Sequence, residues 1–146
     1  MLIAILYALG VGAAGILLLL VGLMLFKRYR TIKHPAVFKA RVRLTEGQFP
    51  GVKSTWQKCF GAWVTTVFTT RKGLPLNIAA VLPVASLDQL RDAAPTDEVK
   101  GLGDRPIIAT FSMTTGAKLE VAVSADERLV GLRPWQAQVE QMARTL

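Results

Sequence analysis

The first 26 residues, Met1 to Phe26, carry no charged side chain, and Tyr7 is the one residue among them with a polar group. A helix over residues 2 to 26 is about 37 Å long at ~1.5 Å per residue, enough to cross a hydrocarbon core of about 30 Å with some tilt. A cleaved signal peptide needs a basic start, a shorter apolar stretch and a small-residue cleavage site. Here no Lys or Arg precedes the run, and it ends in Leu25-Phe26-Lys27-Arg28-Tyr29-Arg30. The pattern predicts an uncleaved transmembrane helix over 1–26. A basic juxtamembrane linker over 27–35 follows, closing at His34-Pro35, where the proline favours an extended backbone at His34.

Beyond the linker the period changes from helical to alternating. In Ala36 to Leu44, Ala36, Phe38, Ala40, Val42 and Leu44 share one face, and Val37, Lys39, Arg41 and Arg43 share the other. That is the signature of a half-buried strand. Glu46 to Val52, with two glycines and a proline, is a loop. Trp56 to Arg71 is rich in aromatic, β-branched and threonine residues and predicts two strands broken near Trp63. Asn77 to Leu82 is a short strand, and Val84 to Arg91 is a fifth strand, with a helix as the alternative. Asp92 to Asp104 is a polar loop. The clearest hairpin pairs Ile107, Ala109, Phe111 and Met113 with Leu119, Val121 and Val123 across a Gly116 turn. Ser124 to Glu127 has the spacing of a capping box, so a helix is expected from about 125. Trp135, Val139 and Met142 lie on one face of it. Pro134 either kinks this helix or starts a second one after Gly131. One transmembrane helix thus precedes a mainly-β domain over 36–146. About seven strands with a C-terminal helix predict a small barrel or sandwich of the pleckstrin-homology-like kind.

Charge sharpens the picture. The 146 residues carry 18 Lys+Arg and 10 Asp+Glu, a formal charge of +8. Basic residues after the span, Lys27, Arg28, Arg30 and Lys33, predict an outward N-terminus and a cytoplasmic C-terminal domain. The lone Cys59 is consistent with that reducing side. Residues 27 to 72 hold 11 Lys+Arg and a single acid, Glu46. Lys39, Arg41 and Arg43 form a stripe on the outward face of the first strand, with Lys53 and Lys58 further on, and together with Lys27, Arg28, Arg30 and Lys33 they make the candidate anionic-lipid or acidic-partner face. Such a stripe can hold the domain flat on anionic lipid headgroups, read one headgroup, face an acidic protein, or be a solvated face. Within the span, Ala4, Ala8, Gly12, Gly15 and Gly22 share one helical face. They suit a dimer seam or a docking face for another membrane protein, though glycine is also common in membrane helices.

Catalytic chemistry is sparse. One histidine, His34, sits in the linker, and Cys59 has no second histidine to activate it. Gly101-Leu102-Gly103 lacks the third glycine and the strand-to-helix setting of a dinucleotide site. No pair of histidines or Cys-x-x-Cys spacing exists for zinc. The expectation is no enzyme, no cofactor and no metal. Nucleic acid is not expected of a tethered domain without a recognisable nucleic-acid module, despite its basic half.

The span with its basic cluster, Trp56-Gln57-Lys58-Cys59-Phe60-Gly61-Ala62, Leu82-Pro83, the hairpin over Pro106 to Val123 and the Ser124-to-Trp135 tail carry a resemblance. Together they resemble an actinobacterial family of single-pass membrane proteins built on a domain of unknown function. The resemblance implies a pleckstrin-homology-like cytosolic domain at the bacterial plasma membrane. It also implies proximity to ATP synthase genes, and brings no catalytic residues. The sequence therefore points to a non-enzymatic module that binds an unidentified membrane-associated protein, accessory to a membrane complex such as ATP synthase. The alternative is an anionic-lipid-binding module using Lys39, Arg41, Arg43, Lys53 and Lys58.

Overall fold

The helix does not stop where charge begins. In the computed structural model, which describes residues 1–34, 36–73 and 77–145, one helix, α1, runs from Leu2 to Lys33. It has no buried residue, and it is long and apolar enough to cross a membrane. The basic stretch after Phe26 continues the helix for about two turns. His34 then caps it in an extended conformation (φ −66°, ψ 129°), as expected of a residue before proline. Pro35, the last residue of the expected linker, lies outside the described residues.

Among the described residues six antiparallel strands follow: β1 Phe38–Glu46, β2 Gln57–Val64, β3 Val67–Lys72, β4 Asn77–Asp92, β5 Ile107–Met113 and β6 Lys118–Val123. Each pairs with the next, and β6 returns to pair with β1, closing a barrel. The alternation read from the sequence sets its interior. Phe38, Ala40, Val42 and Leu44 from β1 meet Ala109, Phe111 and Met113 from β5 and Leu119, Val121 and Val123 from β6 in one core.

The strand count is six rather than seven, because the expected strands Asn77–Leu82 and Val84–Arg91 are one 16-residue strand. Pro83 looks like a breaker because it has no N–H to give a ladder. In β4 it marks the place where the partner changes. Residues up to Pro83 pair with β3, and residues from Val84 pair with β5. Val84 N–H donates to the Thr66 carbonyl at 3.2 Å, and the Pro83 carbonyl accepts from Thr114 N–H at 3.2 Å. The backbone groups at the switch are thus satisfied by two turns rather than by one ladder.

The expected capping box does not form. Ser124 makes no side-chain cap bond, and Ala125–Glu127 is a 3₁₀ turn. The Glu127 carboxylate instead accepts from the backbone N–H of Lys39 at 3.2 Å, a long-range partner that outcompetes the local one. A short helix, α2 (Arg128–Gly131), ends as Pro134 enters a second 3₁₀ turn, and α3 (Gln136–Thr145) begins after it. Leu132, Trp135 and Val139 from this tail are buried in the barrel core. Trp63 seats the plug. Its ring lies 5.1 Å from Phe68, 5.4 Å from Phe111 and 5.9 Å from Trp135, and its Nε1–H donates to the Gly131 carbonyl at 2.7 Å.

Candidate functional site

The tail of α1 is attached to the barrel by two of the predicted basic residues. Lys27 Nζ donates to Asn77 Oδ1 at 3.3 Å, and Arg28 donates to the Gly73 carbonyl at 3.0 Å. The Arg28 guanidinium also lies over the Phe60 ring, 5.8 Å from its centroid. Both ends of the β3–β4 connection are therefore tied to the first turn after the apolar run. Lys33 lies over the ring of Tyr29 on the same helix.

The stripe on β1 has a different fate. Lys39 is exposed, but Arg41 Nε donates to the Lys100 carbonyl. Arg43 donates twice to Glu120, at 3.1 and 2.9 Å, and stacks 4.4 Å from the centroid of Trp56. Glu120 also lies 3.8 Å from Arg91, which donates to both carboxylate oxygens of Asp97 at 2.8 and 2.9 Å. Trp56 Nε1–H donates to the Asp97 carbonyl at 2.8 Å. These groups fasten the connection between β4 and β5 over the outside of the sheet. Beneath it Leu102, Ile108 and Ala122 are buried as a second small core, with Val99 and Trp56 against them. Two of the three stripe residues, both arginines, thus serve the fold. Lys53 and Lys58 are exposed, and Lys58 stands opposite Arg41 in the register.

The Asp97 carboxyl is held well below the ordinary carboxylate range, to about 2, chiefly by its hydrogen bonds from Arg91 and also by the Ala94 N–H. The unfolded chain binds that proton more readily, so this anchoring is complete above about pH 4 and is lost as the pH falls toward 2. Trp56 emission should shift over that window while far-UV circular dichroism is retained. Asp97→Asn should show the shifted emission already at neutral pH. An unchanged emission down to pH 2 would contradict the loop's dependence on this carboxylate.

The two candidate nucleophile and base residues of the sequence, Cys59 and His34, each have a structural setting. Burial pushes the Cys59 thiol up to about 12, so it is protonated at neutral pH and a poor nucleophile. The His34 ring accepts through Nδ1 from the Ala36 N–H at 3.2 Å. Among the described residues no three His, Cys, Asp or Glu groups converge on a metal-sized site.

Beside its exposed lysines, the barrel leaves large apolar side chains open. Val64, Ile78 and Val81 are 60%, 55% and 50% exposed. They lie on the outside of the sheet on β2 and β4, the two strands that flank β3: Val64 pairs with Val67, Thr69 with Val81, and Arg71 with Ile78. The tail of α1 lies along the same face, and Arg30 and His34 line one groove with Ala62 and Val64. The unbroken apolar run Ile78-Ala79-Ala80-Val81-Leu82 was its signal in the sequence, since a strand with one solvated face should alternate. On α1, Ala4, Ala8, Gly12, Gly15 and Gly22 are all exposed, and a Cβ added at Gly12, Gly15 or Gly22 would meet nothing within 4 Å. At 3.6 residues per turn they sit roughly 120 to 200° around the helix from Arg28. The small-residue face is therefore turned away from the barrel.

Comparisons with family models, with curated proteins and with solved structures return no match to this chain.

Proposed function

We propose that this protein is a membrane-anchored, non-enzymatic interaction module. In this reading α1 crosses the bacterial plasma membrane once with its N-terminus outside. The barrel, a pleckstrin-homology-like domain in which two strands are fused as β4, is held at the cytoplasmic face. Its outer β2–β4 surface binds a protein partner in or beside the membrane, in an accessory role to a membrane complex such as ATP synthase. The observation that carries this reading is the exposure of three large aliphatics, Val64 on β2 and Ile78 and Val81 on β4, on the one side of the barrel to which the tail of α1 is tied. Large apolar side chains left on water over one face of a sheet favour a surface that another molecule covers. The open small-residue face of α1 adds a second contact within the bilayer, and the resemblance to a single-pass membrane family agrees with the anchor.

Lipid recognition through Lys39, Arg41, Arg43, Lys53 and Lys58 has weaker support. Arg41 and Arg43 are already bonded to Lys100 and Glu120, so the basic face has fewer groups to offer than its sequence suggests.

The full-length chain extracted from its own membranes in a mild detergent should migrate on a native gel in a complex heavier than itself. A Val64→Asp, Ile78→Asp, Val81→Asp variant should migrate at the mass of the chain alone. Identical migration of wild type and variant would refute the role of this face.

A further inference from the structure

The last turn of α1 and the strands β2 and β3 enclose a groove of about 360 Å³. Arg30 and His34 line it from the helix, and Ala62, Trp63, Val64 and Arg71 from the sheet. Its chemistry is one-sided. No carboxylate lines it among the described residues, and it carries two guanidinium groups. Because His34 Nδ1 accepts from Ala36 N–H, the neutral ring carries its proton on Nε2 and presents a donor there. The Trp63 N–H is spent on the Gly131 carbonyl, so the indole contributes an apolar wall. A ligand that suits this groove is anionic at one end and apolar at the other.

Position selects among such ligands. This step rests on the proposed anchor. Arg30 and His34 follow Phe26 by four and eight residues, which is about 6 and 12 Å along the helix. The polar layer of each leaflet is about 5 to 8 Å deep beyond the hydrocarbon core. Lys27 and Arg28, bonded to Asn77 and Gly73, keep the barrel against the helix at that depth. The Arg30 end of the groove therefore lies level with lipid phosphates, and the His34 end lies just beyond them. We propose that the groove seats the phosphate-bearing headgroup of one anionic phospholipid. Arg30 and Arg71 face the phosphate, and Ala62 and Val64 lie against the start of the lipid's apolar part. This site is separate from the β1 stripe. The bound lipid fixes the rotation of the barrel beneath its own helix, and so the direction in which Val64, Ile78 and Val81 are presented.

The test uses the full-length chain in detergent, titrated with phosphatidylglycerol or phosphatidylcholine and followed by native mass spectrometry. Wild type should retain one phosphatidylglycerol in preference to phosphatidylcholine. Arg30→Gln should weaken that retention about tenfold, the loss of one charge-assisted hydrogen bond to the phosphate. Lys33→Gln removes an equal charge from the same helix outside the groove, and should weaken retention much less than Arg30→Gln does. Equal weakening by both variants would show diffuse attraction and overturn the site, as would no effect of Arg30→Gln. Displacement of the lipid by inorganic phosphate would show a free-anion site and overturn the lipid assignment. Unchanged circular dichroism of each variant excludes misfolding. Carbonate extraction of the same membranes tests the anchor independently: retention in the pellet leaves the anchor standing whatever the fate of the groove, and release removes the ground of both.

Discussion

Trp63→Ala should destabilise the barrel by about 3 kcal/mol, the lower end of the cost of deleting a large aromatic, because the half-buried ring packs against the core from its edge. Against a total of about 5–15 kcal/mol for a typical domain, that removes much of its margin. The reason is the position of the ring. It touches Phe68 in β3, Phe111 in β5 and Trp135 in the C-terminal plug, and its N–H holds the Gly131 carbonyl where α2 ends. Truncation leaves a cavity where three elements meet and frees a carbonyl that the plug needs satisfied. Urea unfolding of the full chain in detergent, followed by near-UV circular dichroism, reads the effect. A loss under about 1 kcal/mol would mean that the plug is not seated on Trp63, since even a modest core truncation costs that much. Trp56→Phe is the contrast. That indole lies outside the barrel and holds the loop over Leu102 and Ile108, so its loss should loosen the loop and leave the melt of the barrel nearly unchanged.

Placing two arginines in the middle of α1, Ala14→Arg with Leu18→Arg, should abolish membrane retention. Each costs about 2.5–3.5 kcal/mol at the centre of a spanning helix, and the helix has no buried face on which to hide them. The carbonate-resistant fraction of the full-length chain should fall from nearly all to little. The barrel should still fold, because its core contains no residue of α1. Full retention of the double variant would mean that something other than α1 holds the chain to the membrane.

Much of this architecture was legible from local pattern. Strict alternation placed Phe38, Ala40, Val42 and Leu44 inward, and the hairpin around Gly116 fell where Met113 and Ala117 now face each other. The features that escaped are non-local. Pro83 looks like an end because its missing N–H is visible in the sequence, whereas the partner switch that accommodates it depends on turns at Thr66 and Thr114. Glu127 has the right spacing for a capping box, but the N–H it binds belongs to Lys39, 88 residues away. The stripe of Lys39, Arg41 and Arg43 was correctly read as outward. What no period reveals is that residues 93 to 106 fold back over it, so that Glu120 and the Lys100 carbonyl take up two of its charges. The apolar face had a signal of its own, the lack of alternation from Ile78 to Leu82. It took the pairing of β3 with β4, shifted between Thr70 and Arg71, to show that Ile78 and Val81 both stand outside the barrel.

The most direct test of the partner-binding account is site-specific photo-crosslinking of the full-length protein in its native membranes. Photoreactive residues at positions 64, 78 and 81 should each give one discrete adduct of the same mass. Residues 126, 138 and 140, which are exposed beyond the plug, should give none. Adducts of one mass confined to the β2–β4 face are the result this account predicts. No adduct at any of those three positions, or adducts in equal yield around the whole barrel, would contradict it.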